Sequence, residues 1–412
     1  MPLIEGDPAP SKPLSPSERR VTYWFAAFFG LCCLGELLSG YEPAKLTVLF
    51  ILLWWVPLLF VHELGHAGMA KLLGWSVSDI VIGFGRDLWR FRIGNTQVRI
   101  KWVLMEGYVR PVPTELAWGR LKMALIFGAG PAAEAGVLAV LFGIYGSSVL
   151  LSSSADIAVL AAQSLAVAIA ISLISNLFPR GAPGGGVSDG LGMLLSWRIS
   201  TEALEQMRLR PRLVEIARLM DEDHGDQALQ LAEETRLAFP DQFAVELEYG
   251  IALGAAGQLT EGMVQLEAIG PPEAHPPATQ AVLLEAAALL VLAADADELL
   301  PDACDAASQA VALMPEDRFL ALTYGRVLFE SERYPQALRA LQGALGHLGD
   351  TEVEGRCLAF LAMTCQHLGQ KDEAEAYRQT LPGRLQSPSL QRRVDDLMAA
   401  DVPAEPPTEQ AG

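Results

Sequence analysis

The 412 residues are too many for one ordinary domain, and their charge is uneven: residues 1–198 carry 15 basic and 13 acidic side chains, net +2, whereas residues 199–412 carry 15 and 36, net −21. Nucleic acid needs Lys and Arg to meet its phosphates, so the acidic half argues against nucleic acid as a partner. The five cysteines show neither metal-binding spacing nor a disulfide framework.

Long apolar segments are confined to the first half of the chain. Residues 1–20 are polar and proline-rich, without the apolar core of a signal peptide, and predict a disordered cytoplasmic leader. A helix needs about 20 apolar residues to cross a bilayer. Four segments qualify: about Val21–Ser39, Leu46–Leu72, Leu121–Tyr145 and Ile157–Phe178. We therefore predict a domain embedded in the lipid bilayer over residues 21–198.

Basic residues set the expected orientation, because Lys and Arg accumulate in short cytoplasmic loops. Nine of them lie between residues 71 and 122. The loop between the first two predicted spans holds only Lys45, and the loop between the last two holds none. We expect a multi-pass protein of a bacterial inner membrane, with both termini cytoplasmic.

The segment between the second and third spans, from Ser76 to Pro111, is rich in β-branched and aromatic residues, with turn signals at Gly83, Gly85 and Gly94-Asn95. This pattern predicts two or three short strands. Unpaired backbone groups cost several kcal/mol each in lipid, so a small sheet should lie at the cytoplasmic membrane surface or against protein.

Past Arg198 a repeat becomes visible. PDQFAVELEYG from Pro240 aligns with PEDRFLALTYG from Pro315, 75 residues later, which is close to two tetratricopeptide periods of about 34 residues. Further helical units are expected near 277–314 and 353–382, and GQLTEGMVQLEAI, ERYPQALRALQGAL and GQKDEAEAYRQTL fit the second helices of three units. We predict a soluble tetratricopeptide-like α-helical domain over 199–398 and a disordered tail over 399–412.

A His-Glu-Leu-Gly-His motif lies in the second predicted span. The spacing of four puts His62 and His66 on one face of a helix, as two metal ligands. Glu63, beside the first ligand, can take a proton from water that a bound Zn²⁺ makes acidic. Three ionisable residues inside an apolar span are costly, which favours a functional site over a chance match.

A catalytic zinc ion needs a third protein ligand. Asp189 follows the fourth predicted span, where proline and glycines break the helix and could fold the chain back toward the two histidines. The alternative is a loop aspartate with no ligand role.

These motifs together resemble the site-2 protease family of intramembrane metalloproteases, over about residues 46–195. HELGHAGMAKLLG matches its first motif, IGFG and EGYVRP its strand region, and FGAGP its Gly-Pro turn. Its second motif, Asn-x-x-Pro followed by Leu-Asp-Gly, corresponds to Asn176, Pro179 and Ser188-Asp189-Gly190. The resemblance implies that Asp189 is the third zinc ligand and that Asn176 lies near the scissile peptide, where it donates a hydrogen bond to the oxyanion.

Three features depart from the family's pattern. Ser188 replaces leucine, a glycine-rich APGGG lengthens the interval from Asn176 to Asp189, and Glu134 stands where many members have asparagine. The insertion could alter how Asp189 reaches the metal. Glu134 is open to two interpretations, as a gating or polar-lining residue or as a partner of a neighbouring helix.

The sequence thus predicts an all-α membrane domain with a small surface β-sheet, joined to a soluble helical repeat domain, and acting as an intramembrane zinc metalloendopeptidase. Glu63 activates water for attack on a partly unwound transmembrane segment of a substrate protein, and the repeat domain recruits substrate or a regulator protein on the cytoplasmic side. The resemblance implies regulated signalling, such as release of a membrane-tethered transcription regulator or anti-sigma factor. Two alternatives stay open: a catalytically inactive membrane-anchored repeat scaffold, and a zinc protease of another lineage with a downstream glutamate as third ligand.

Overall fold

The computed structural model describes residues 43–181, 186–345, 351–382, 385 and 387–400. The predicted leader, the first predicted span at about Val21–Ser39 and the tail from residue 401 lie outside these residues. The chain divides into two compact units, Met1–Arg208 and Leu209–Gly412.

Three helices in the described part of the first unit are long and apolar enough to cross a membrane. They are α1 (Leu46–Leu72), α2 (Gly119–Tyr145) and α4 (Ile157–Leu177), with the short α3 (Ser147–Leu150) between the last two and α5 (Asp189–Ser196) after them. Leu52 and Leu53 on α1 are 60% and 59% exposed, as expected of side chains that face lipid. Three of the predicted spans are confirmed as membrane-length helices.

The buried side chains of α1 fall on one stripe of the helix. Leu58, His62, His66 and Ala70 follow at intervals of four, with Glu63 and Ala67 beside them. This stripe packs against α2, α4 and the sheet. The two histidines therefore point into the unit and not toward lipid.

Two antiparallel strands, β1 (Ser76–Ile93) and β2 (Thr96–Val112), form the small sheet. The chain reverses at Gly94-Asn95, as predicted. A second change of direction lies inside β1 at Gly83 and Gly85, whose φ values are 92° and 90°. Residues 79–82 run parallel to 97–100 and antiparallel to 107–110, whereas 89–92 run antiparallel to 97–100. The strands are therefore longer than predicted, and the second half of β2 lies at one edge of the sheet.

Helical hairpins build the second unit. The helices are α6 (Thr201–Asp221), α7 (Gly225–Ala238), α8 (Phe243–Ala255), α9 (Leu259–Ile269), α10 (Pro277–Ala293), α11 (Leu300–Leu313), α12 (Arg318–Glu330), α13 (Tyr334–Ala344), α14 (Thr351–His367), α15 (Lys371–Gln379) and α16 (Pro388–Ala399). Successive helices pack as pairs, among them α8 with α9, α10 with α11, α12 with α13 and α14 with α15. The tetratricopeptide-like fold is thus confirmed. The units divide within α6, after Arg208, whereas the sequence places the boundary after Arg198.

The repeated Tyr-Gly pair has the same packing role in both copies. A Cβ on Gly250 would lie 2.8 Å from Leu266 Cδ2, and one on Gly325 would lie 2.6 Å from Leu341 Cδ2. In each case the leucine stands 16 residues further on, in the second helix of the pair. Glycine therefore lets the paired helices approach, and the repeat extends from sequence to packing.

Candidate metal centre

Three side chains from two helices meet in the membrane unit. His62 and His66 come from α1, and Asp189 is the first residue of α5. The Oδ2 atom of Asp189 lies 3.0 Å from His62 Nε2, its Oδ1 lies 3.4 Å from His66 Nε2, and the two Nε2 atoms are 3.0 Å apart. Tetrahedral zinc with ligands at about 2.0–2.1 Å holds its donor atoms about 3.3 Å from one another, so this nitrogen and oxygen set fits zinc.

The outer ring nitrogen of each histidine is also bonded. His62 Nδ1 lies 2.9 Å from Glu134 Oε1, and His66 Nδ1 lies 2.6 Å from the carbonyl oxygen of Ile126. Because the acceptors are a carboxylate and a carbonyl, each Nδ1 is the donor. Each Nε2 therefore keeps its lone pair, which is available to a metal ion between the two histidines and Asp189. Since both acceptors belong to α2, this helix sets the tautomers that a metal site requires.

Gly130 allows α2 to pass close to the two imidazoles. A Cβ on this residue would lie 2.4 Å from His66 Nε2 and 2.8 Å from His62 Nε2. The next residue, Pro131, lies inside the helix and has no N–H to donate. The Gly-Pro pair noted in the sequence thus forms one wall of the site, and the missing side chain of Gly130 leaves room for the two imidazoles.

Glu63 is buried beside the cluster, with 3% of its surface exposed. Its carboxylate lies against β2 at Gly107, where a Cβ would be 2.7 Å from Glu63 Oε1. The other oxygen, Oε2, is buried and has no hydrogen-bond partner within the described part of the chain. A buried acceptor without a partner is uncommon, and a general base needs such an oxygen.

The glycine-rich insertion leaves Asp189 beside both histidines. Residues 182–185 lie outside the described ranges. The residues on either side of them are hydrogen-bonded to each other, since Ser188 N donates to the Arg180 carbonyl at 3.0 Å. Ser188 Oγ accepts from Arg180 N at 3.1 Å and from Leu191 N at 3.4 Å, the second bond being the N-cap of α5. The serine that departs from the family's leucine therefore begins the helix that presents Asp189.

The charge of Asp189 suits a metal ligand. Burial alone would raise the pKa of its carboxyl, but the contacts with the imidazoles of His62 and His66 outweigh burial and lower that pKa. The approach of α5 to α4 depends on Gly190, where a Cβ would lie 1.9 Å from the Leu177 carbonyl oxygen. In the Asp-Gly pair, the aspartate is thus an ionised ligand, and the glycine allows the close contact between α5 and α4 that places it beside the histidines.

Asn176 lies at the end of a hydrogen-bonded chain. Its Nδ2 donates to Ser172 Oγ at 3.2 Å, and Ser172 Oγ donates to Glu134 Oε1 at 2.8 Å. Through Glu134 this chain reaches His62. One amide proton of Asn176 is therefore used within the protein, and its role at the scissile peptide stays a prediction.

The sequence did not identify Ile126, Ser172 or Gly107 as part of the site. Ser172 precedes Asn176 by four residues on α4, a spacing that places two polar groups on one face of a membrane helix and could have indicated the pair. For Glu134, the structure supports partnership with neighbouring helices, since it contacts His62 on α1 and Ser172 on α4.

Short stretches of the chain are similar to known proteins. A stretch of 53 residues, 13% of the chain, is 43% identical to a Helicobacter pylori (strain J99) protein named "Putative zinc metalloprotease" and covers 15% of it. Another of 68 residues, 16% of the chain, is 35% identical to a Clostridium perfringens protein with a similar name and covers 20% of it. The chain thus aligns with a fifth or less of these relatives' length.

Among solved structures, a thermophilic TPR protein of Thermus thermophilus aligns over its full length with 47% of this chain, at 18% identity and a TM-score of 0.35. The model of Peptidase family M50 matches residues 49–345, which is most of the chain and includes His62, His66 and Asp189. The chain therefore belongs to Peptidase family M50.

Proposed function

We propose that this protein is an intramembrane zinc metalloendopeptidase that cleaves transmembrane segments of other proteins. The observation that carries the proposal is the position of the buried Glu63 carboxylate, which is next to a ligand of the His62, His66 and Asp189 cluster and has an oxygen that no described residue bonds. All but Asp189 stand on a membrane-length helix, where ionisable groups are costly and retained for function. Membership of a peptidase family supports the same conclusion.

His62, His66 and Asp189 would hold the zinc ion. When bound, zinc supplies Lewis-acid polarisation of water and of the scissile carbonyl. Glu63 accepts the proton of the attacking water on Oε2, holds it in a site closed to bulk water, and returns it to the leaving amine. The acceptors on α2 keep both imidazoles turned with Nε2 toward the site.

The substrate segment has to be partly unwound, because the peptide bonds of a helix are shielded by their own hydrogen bonds. A span with helix-breaking residues should therefore be preferred. Residues 107–110 of β2 pair with β1 on one side, and Gly107 lies against Glu63. The outer edge of this strand offers an unwound segment backbone hydrogen bonds close to the catalytic carboxylate.

Cleavage by the purified full chain in liposomes tests this function. A co-reconstituted membrane protein whose single span contains Gly and Pro should be cut within that span. A chelator should abolish cutting, and added Zn²⁺ should restore it, because the chemistry needs the metal. Cutting that continues unchanged after zinc has been removed would refute a metalloprotease.

We propose further that the repeat domain recruits a protein partner, either the substrate or a regulator. A groove of about 730 Å³ in this unit is lined by residues that include Arg392 and Arg393, and arginine is enriched at surfaces that recognise proteins. In the same liposome assay, a chain truncated after Arg208 should lose its preference among substrates. Equal rates and equal substrate choice in the two chains would contradict recruitment.

A further inference from the structure

Glu134 is the most deeply buried acidic side chain of the described membrane unit. It stands in the middle of α2 and only 1% of its surface is exposed. A carboxylate in such a place is unfavourable unless hydrogen bonds satisfy it. Its contacts therefore indicate what it does.

The contacts of Glu134 converge on one oxygen. Oε1 accepts from His62 Nδ1 at 2.9 Å and from Ser172 Oγ at 2.8 Å. With Oε1 as the acceptor of both bonds, His62 carries its proton on Nδ1, and its Nε2 is left with a lone pair 3.0 Å from Asp189 Oδ2. Ser172, itself bonded by Asn176, fixes Glu134 from the opposite helix.

Glu134 does not belong to the His62, His66 and Asp189 cluster, because it lies on the other side of the His62 ring. Asp189 contacts Nε2 of both histidines, whereas Glu134 contacts the opposite nitrogen of His62 alone. His66 has only a neutral carbonyl at its Nδ1, so the two histidines are supported unequally. A carboxylate at the outer nitrogen makes an imidazole a stronger metal ligand than a carbonyl does.

We propose that Glu134 is the positioning residue of this metal site. It fixes the tautomer and ring orientation of His62 and strengthens His62 as a ligand, and Ser172 holds Glu134 in place. This inference rests on the proposed zinc site. It assigns Glu134 no contact with the substrate.

Metal affinity of the purified full chain tests the role without any substrate. Zn²⁺ affinity is measured by competition with a chromophoric chelator, and the ligand field by the visible spectrum of the Co²⁺-loaded protein. Glu134→Ala should weaken Zn²⁺ binding about 10- to 100-fold and change the Co²⁺ spectrum, as loss of an outer partner of a ligand does. Glu134→Gln, which keeps the volume and one acceptor oxygen, should lose less affinity and guards against misfolding of the alanine variant.

Ser172→Ala has a matched control in Ser164→Ala. Both serines are buried on α4, but among the described residues the Ser164 hydroxyl bonds only to the Leu160 carbonyl of its own helix. Ser172→Ala should weaken Zn²⁺ binding measurably, and Ser164→Ala should leave it unchanged. Equal loss in both would point to a general packing effect and contradict the role of Ser172.

Two failures can be told apart. If the wild-type chain binds no Zn²⁺, the proposed function fails. If the wild-type chain binds Zn²⁺ and both Glu134 variants bind it equally tightly with an unchanged Co²⁺ spectrum, the positioning role alone is overturned. A loss of thermal stability without either change would likewise overturn it.

Discussion

Replacement of Glu63 by glutamine is expected to lower the cleavage rate about 10²- to 10⁴-fold while zinc stays bound, as removal of a general base does. Gln has the same shape and should fit against Gly107, where there is no Cβ to displace. It cannot accept and return a proton. Because Glu63 is outside the His62, His66 and Asp189 cluster, zinc content should not change. The measurement is cleavage in liposomes alongside zinc per chain.

Glu115→Gln is the matched control for this substitution. Glu115 is exposed, its one ion pair within the described part of the chain is with Lys122, and such surface pairs contribute little. Its cleavage rate should equal that of the wild type. If Glu63→Gln cleaves as fast as Glu115→Gln, the proposed mechanism is wrong. If neither variant nor the wild type cleaves any membrane substrate, the inactive repeat scaffold becomes the better interpretation.

Substitution of Gly130 by alanine is expected to remove zinc from an otherwise folded protein. The added methyl group would lie 2.4 Å from His66 Nε2 and 2.8 Å from His62 Nε2. Neither ring can retreat without breaking its Nδ1 hydrogen bond to α2. Alanine favours a helix over glycine by about 1 kcal/mol, so α2 itself should not be weakened. Zinc per chain and cleavage should both fall to near zero.

Gly136→Ala tests whether this effect is local. Gly136 lies on the same helix, but a Cβ there would meet no atom of the described residues within 4 Å. This variant should bind zinc and cleave as the wild type does. Retention of full zinc by Gly130→Ala would mean that the imidazoles do not take the arrangement described here.

Features formed by residues close together in the sequence could be predicted from it. His62, Glu63 and His66 were predictable because one helical turn fixes their geometry. The Tyr-Gly repeat could also be predicted, because Gly250 and Gly325 stand at the same place in the two repeated segments. Each of them meets a leucine 16 residues further along the chain. Gly94-Asn95 marked a true reversal. Gly83 and Gly85 share its positive φ and mark a second change of direction, inside β1, through which the pairing with β2 continues.

Contacts between distant segments could not be predicted from residue patterns. The residue pattern left Asp189 open between a third metal ligand and a loop aspartate, and only the family resemblance favoured the ligand. The pairing of Glu134 with His62 joins positions 72 residues apart and depends on how two helices pack. Ser188 looked like a departure from the family's pattern until its hydroxyl proved to cap α5. In each case tertiary packing determined the role.

The placement of His62, His66 and Asp189 around one zinc ion is tested most directly by zinc K-edge X-ray absorption of the wild-type chain and of Asp189→Ala. The wild type should show two imidazoles and a carboxylate oxygen around zinc. Asp189→Ala should lose the ion or that oxygen. Sulfur in the wild-type shell, or an unchanged shell in Asp189→Ala, would contradict the site.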